Sequence, residues 1–128
     1  MSPKKSNKRM RIGFDIGGVI SKYPDEFRFL LLALSKVPEI EIYIVTDMPR
    51  DVAKDLLTKN NIPWSEKRLL CGEWGDHGDK CKSVLMRKHR IEIMVDDRLD
   101  YIFGGVKIGL MVVPRTHRKY YAPSWIEK

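Results

Sequence analysis

The chain has 128 residues, 43% of them hydrophobic, which suits one ordinary globular domain with a real core. No apolar run approaches the roughly 18 residues of a membrane span, and the opening residues 1–9 lack the apolar stretch of a secretory signal. The net charge of +7 belongs to the ends: residues 1–11 carry five bases and no acid, and residues 115–128 carry four bases against one acid. The 15 bases and 16 acids between them nearly cancel, so the expected division is a basic tail over 1–9, a domain over 10–114 and a basic, aromatic segment over 115–128. Such ends suit nucleic acid or another polyanion, and equally serve as solvated tails. Cys71 and Cys81 are too few for a disulfide framework, so a cytoplasmic setting is expected, with no membrane partner.

In chain order, residues 10–16 read as a strand. Phe27, Leu30, Leu31 and Leu34 stand at i, i+3, i+4 and i+7, which predicts a helix over Asp25 to Val37 with one buried face. Glu41 to Thr46 is a strand rich in Ile, Tyr and Val. Pro49 suits the first turn of a helix that buries Val52, Leu56 and Leu57 and stops at Asn60-Asn61. Arg68 to Cys71 is a short third strand, Lys80 to His89 a helix, and Ile91 to Val95 a fourth strand. A short helix over Arg98 to Phe103 stops at Gly104-Gly105, and Val106 to Val113 forms a fifth strand. Strands alternating with helices predict an α/β, Rossmann-like three-layer sandwich around a five-stranded, mostly parallel sheet.

In an open parallel sheet, ligands bind beyond the carboxyl ends of the strands, where the winding reverses. With the first strand central between the second and the fourth, three tips meet there, carrying Asp15, Thr46-Asp47 and Asp96-Asp97. An aspartate after a strand often caps the next helix, so one alone says little. Together they predict an anionic site for a divalent metal.

These residues resemble the haloacid dehalogenase superfamily of aspartate-nucleophile phosphohydrolases over roughly residues 10–113. Ile12-Gly13-Phe14-Asp15-Ile16-Gly17-Gly18-Val19 is similar to the family's first motif, and Ile42-Tyr43-Ile44-Val45-Thr46 to its second. Lys80 or Lys82 fits the third, and Val95-Asp96-Asp97-Arg98 is similar to the double-Asp form of the fourth. The resemblance implies that Asp15 attacks phosphorus and forms an aspartyl-phosphate that water hydrolyses. It implies Mg²⁺ as cofactor, held by Asp15, the Gly17 carbonyl and Asp97, with Asp96 either ligating directly or holding a metal-bound water. Thr46 would bind a phosphoryl oxygen, and the lysine, Lys80 or Lys82, would offset charge on the nucleophile and the transferring group.

Gly17 departs from the family pattern. Family phosphatases usually carry an Asp there, which protonates the leaving alcohol and then activates water. Asp47, Asp76, His77 and Asp79 are the other acids and bases nearby in sequence. Only 30 residues separate Asp15 from Val45, and a helix takes most of them, so no cap domain fits. A capless site is open to a phosphorylated macromolecular end, a nucleic-acid terminus for example, or to a nucleotide enclosed by a neighbouring subunit in a homo-oligomer. Trp74 could stack on a base or pack inside. The other expectation is a degenerate domain that binds a phosphorylated or polyanionic partner without catalysis. Two weaker readings are a sugar-kinase phosphate loop at Asp15-Ile16-Gly17-Gly18 and a zinc site at Cys71, His77 and Cys81.

Overall fold

Runs of alternating apolar residues build the strands, and their two faces sort into two cores. The computed structural model describes residues 9–72, 81–98 and 106–112. The strands are β1 (Met10–Phe14), β2 (Ile40–Thr46), β3 (Leu69–Cys71), β4 (Ile93–Asp96) and β5 (Ile108–Met111). The helices are α1 (Pro24–Ser35), α2 (Arg50–Lys59) and α3 (Cys81–Lys88). The sheet order is β3-β2-β1-β4-β5, and all its pairings are parallel. The winding therefore reverses at β1, with β2 on one side and β4 on the other, as the sequence reading required.

One face of the sheet presents Ile12, Phe14, Ile44 and Val95, which pack with Leu31 of α1 and with Ala53 and Leu57 of α2. The other presents Tyr43, Val45 and Met94, packed with Met86 of α3. This is a three-layer sandwich. The stretch between β1 and β2 holds one turn-like loop and α1, so no cap domain intervenes there.

Gly13 lies at the middle of this arrangement, paired with Tyr43 on one side and Met94 on the other. A Cβ there would sit 2.9 Å from Met94 Sδ and 3.0 Å from Val45 Cγ2, so glycine lets the layers close over the central strand.

Both helix faces need correction. Leu30 is exposed, while α1 buries Leu31 as expected, with Phe27 and Leu34 packed partly beside it. In α2 it is Ala53 that is buried, while Val52 is half exposed. Several boundaries also shift: β1 ends at Phe14 rather than at residue 16, and β4 begins at Ile93 rather than Ile91. The expected helix from Arg98, the Trp74 loop, Lys80 and the two basic ends fall outside the described residues.

Candidate active site

Side-chain alternation decides which carboxylates meet. Gly13 faces α3, and Asp15 keeps an extended backbone (φ −79°, ψ 160°), so its side chain turns to the same side. Its N–H donates to Val95 O at 3.0 Å, which continues the pairing with β4 one step beyond β1. Asp96 follows Met94 by two residues and faces α3 for the same reason. Lys82, in the first turn of α3, meets both: its Nζ lies 2.9 Å from Asp15 Oδ2 and 3.0 Å from Asp96 Oδ2.

All three groups are buried, with Asp15 4%, Asp96 0% and Lys82 1% exposed. Their remaining oxygens have partners: Asp15 Oδ1 accepts from Ile16 N–H at 2.8 Å, and Asp96 Oδ1 from Arg98 N–H at 3.1 Å. Two carboxylates thus share one ammonium out of water, an arrangement with a surplus negative charge. Burial pushes the Asp15 carboxyl up to about 7; Lys82 opposes this, while the charge of Asp96 adds to it. Asp96 is also raised, again mainly by burial. For Lys82, burial works against the ammonium, but Asp15 and Asp96 more than reverse it and hold its pKa above the ordinary lysine value.

The half-buried Asp97 completes an acidic cluster. One oxygen each from Asp15, Asp96 and Asp97 lies within 4.8 Å of the others. Opposite ligands of an octahedral Mg²⁺ stand about 4.2 Å apart, given metal–oxygen distances of about 2.1 Å. At most one pair among three ligands can be opposite, and adjacent ligands stand about 3.0 Å apart, so the cluster would have to draw together to hold a hard cation, which its all-oxygen donor set suits.

The loop after Asp15 is shaped to leave room for that cluster. Ile16, Val19 and Ile20 are buried anchors, and Ser21 N–H closes the turn onto Ile16 O at 2.8 Å. Gly18 has φ +72°, its N–H donates to Ser21 Oγ at 3.1 Å, and a Cβ on it would collide with the Asp97 carboxylate. Glycine is required at that position. Gly17 differs: its φ of −67° and ψ of 127° suit any residue, and among the described residues a Cβ would meet only Met48 Cε, at 3.8 Å. The backbone does not demand the missing side chain.

Thr46 ends β2 two residues beyond the Phe14–Ile44 pairing and is fully buried. Its carbonyl accepts from Gly72 N–H at 2.8 Å, and its hydroxyl oxygen accepts from Met48 N–H at 3.1 Å. A hydroxyl that accepts can still donate its own proton.

Of the expected site residues, the structure brings Asp15, Lys82, Asp96 and Asp97 together and sets Thr46 and Gly17 on the adjoining tips. Lys80, Asp76, His77 and Asp79 lie outside the described residues. Cys71 is a free, half-buried thiol whose pKa is raised, chiefly by burial. Sequence reasoning missed the role of Gly18 in making space for Asp97, although a Gly-Gly pair directly after an Asp-tipped strand was a usable signal. A cavity of about 200 Å³, lined by Ile42, Ile44, Pro63 and Trp64 among others, includes none of the site residues. No described helix is long and apolar enough to cross a membrane. Comparison with models of known families, with curated proteins and with solved structures finds no match.

Proposed function

We propose that this domain is a Mg²⁺-dependent phosphohydrolase of the haloacid dehalogenase type that works through an aspartyl-phosphate on Asp15. The observation that carries this reading is the meeting of Asp15 with a buried lysine and an aspartate pair at the winding reversal of a parallel sheet. Bound Mg²⁺ would offset the repulsion between the Asp15 carboxylate and a phosphate dianion. Asp15 supplies the oxygen that bonds to phosphorus as the leaving group departs with its electron pair. Lys82 holds the Asp15 carboxylate in place and offsets charge on the transferring group. Thr46 would donate its hydroxyl proton to a phosphoryl oxygen, and Asp97 and the Gly17 carbonyl would complete the metal ligands, with Asp96 ligating directly or holding a metal-bound water. The lack of a cap domain between β1 and β2 and the basic ends favour a nucleotide or a nucleic-acid end as substrate. The free Cys71 thiol suits a reducing cytoplasm.

Gly17 favours a second reading, a domain of the same design that binds a phosphorylated or polyanionic partner without turnover. Activated aryl phosphates separate the two, since their departure needs little protonation. The first reading expects Mg²⁺-dependent release of the phenol, abolished in Asp15→Asn. No turnover in the wild type, and none after Gly17→Asp, would favour the binding domain. Full activity in Asp15→Asn would overturn the nucleophile.

A further inference from the structure

The cavity of about 200 Å³ lies apart from the acidic tips, between the end of α1 (Ser35), the middle of β2 (Ile42 and Ile44) and the loop from α2 to β3 (Pro63, Trp64 and Ser65). Pockets for drug-sized ligands run to about 300–1,000 Å³, so this one has room for about a single ring. Its walls are mainly apolar, with the half-buried Trp64 as an aromatic wall and Arg68 beside it. The loop that carries Trp64 is held in place. Arg50 donates to Glu66 O at 2.7 Å and to Leu69 O at 2.8 Å. Lys54 Nζ pairs with Glu66 at 2.7 Å and stands 5.8 Å from the Trp64 ring centroid. Ser35 Oγ donates its proton to Leu32 O at 2.7 Å, so its lone pairs are left to accept from a ring N–H.

Arg68 also belongs to a second group. Its guanidinium stands 5.9 Å from the Tyr43 ring centroid and 3.7 Å from a Glu41 oxygen, and its side chain is 38% exposed. The Arg11 guanidinium stands 5.6 Å from the same ring and 3.1 Å from the same carboxylate. The Tyr43 hydroxyl donates to Glu41 as well, at 3.1 Å. One carboxylate thus faces two guanidiniums and a phenol, which leaves a surplus of positive charge. Arg11 reaches on to His89 O at 2.7 Å, next to the exposed Lys88 and Arg90. The His89 imidazole responds to this surplus: its pKa is lowered by burial and then by the charges of Lys88 and Arg11. Lys82 and Lys88 stand at opposite ends of α3, so these bases lie away from the Asp15, Asp96 and Asp97 cluster. The nearly neutral body is therefore polarised.

We propose that this cavity and the bases beside it bind single-stranded nucleic acid, with one unstacked base against Trp64 and the neighbouring phosphates on Arg68 and Arg11. An apolar slot one ring wide with guanidiniums next to it matches a nucleotide, which joins a flat ring to an anion. Bases in a duplex are paired and stacked, so an unpaired strand is what can present one. Arginine suits the phosphates because its planar fork bonds two oxygens at once. An apolar peptide side chain would fill the slot but gain nothing from the guanidiniums. The surface is separate from the Asp15 site, and the proposal does not depend on catalysis there.

The test is fluorescence anisotropy of a labelled strand of about 12 nucleotides, prepared as DNA and as RNA and titrated with the full chain at several salt concentrations. The basic ends are the same in every variant, so ratios between variants report this surface. Trp64→Leu should weaken binding about 10-fold with the salt dependence unchanged, as expected for one lost base stack. Trp64→Phe keeps a ring and should retain most of the affinity. Arg68→Gln should weaken binding and reduce the slope of log affinity against log salt by about 0.7, one phosphate contact on a single strand. Lys107→Gln, on β5 at the far edge of the sheet from β3, should change neither. A duplex of the same sequence should bind more weakly than the strand. Equal binding by wild type and Trp64→Leu, or binding to duplex as tight as to the strand, would overturn the proposal. So would equal losses in Arg68→Gln and Lys107→Gln, which would assign the attraction to overall charge. If the leucine variant does not fold, Arg68→Gln decides: unchanged affinity and slope there would overturn the proposal alone.

Discussion

Lys82 Nζ lies 2.9 Å from Asp15 Oδ2, with both side chains buried at the carboxyl end of the sheet. The same ammonium reaches Asp96 at 3.0 Å, so one cation is shared by two carboxylates at the tips of different strands. Removing one partner of a buried ion pair strands the other, at a cost of about 3–5 kcal/mol. Lys82→Met should lower the stability of the metal-free protein by about that much in urea unfolding. Adding Asp15→Asn to it should recover part of the loss, because the stranded charge is then gone. A loss below about 1 kcal/mol in Lys82→Met would show that the lysine does not hold the carboxylates.

The burial of Asp15, with the Asp96 charge beside it, predicts a dependence on pH. The Asp15 carboxyl stands at about 7 in the folded protein against an ordinary 3.8, so between those values the folded chain binds more protons than the unfolded one. Stability from this group is fully present below the lower value and is lost as pH rises through the upper one. Asp96 is raised and acts in the same direction. His89, lowered chiefly by burial, acts in the opposite direction nearby, so the comparison is made against Asp15→Asn, in which His89 is unchanged. The metal-free wild type should lose thermal stability relative to Asp15→Asn between about pH 4 and about pH 7. Mg²⁺ should restore it, with a larger rise in melting temperature at the higher pH. Parallel pH profiles for the two proteins would contradict this.

The two loop glycines should respond differently to alanine. Gly18→Ala forces a side chain into a left-handed backbone, at about 1–2 kcal/mol, and displaces the Asp97 carboxylate. Lower stability together with weaker Mg²⁺ binding by calorimetry is expected. Gly17→Ala should change neither by a measurable amount, since its Cβ has room. Equal effects at both positions would remove the distinction between them.

Gly13→Ala tests the close approach of the layers. Its Cβ would lie within 3.2 Å of Met94, Val45 and Ile91 side chains, and overpacking of this kind costs about 1–3 kcal/mol. Because the strain falls two residues before Asp15, Mg²⁺ binding should weaken as well. A substitution neutral in both respects would mean that the core gives more readily than these contacts allow.

Much of this was legible in the sequence, because strand rhythm and acidic tips are both short-range signals. The strand rhythm and the polar residue at each strand end place Asp15, Thr46 and Asp96-Asp97 on neighbouring tips. The lysine was not legible. Lys80 and Lys82 are two residues apart, and a helix turns about 200° over that interval, so the start of the helix decides which one could face inward. Leu30 was misplaced because α1 is apolar nearly all round: Phe29, Leu30 and Leu32 are exposed while Leu31 is buried. Ala53 was missed because a small side chain adds little to a hydrophobic pattern, whereas the neighbouring Val52 stands out and is half exposed. The special backbone of Gly18 depends on Asp97, far along the chain, which no local pattern contains.

The claim at the centre of this account is that Asp15 is the phosphoryl-accepting oxygen beside a metal held by the aspartate pair. A crystal structure of the protein with Mg²⁺ and trifluoroberyllate, a mimic of the phosphoryl group, tests it most directly. Beryllium should be bonded to an Asp15 carboxylate oxygen, with Mg²⁺ ligated by Asp15 and by a carboxylate of the Asp96-Asp97 pair, and Lys82 Nζ in contact with the mimic. A mimic bound elsewhere, or a carboxylate cluster that takes up no Mg²⁺ at saturating concentration, would contradict it.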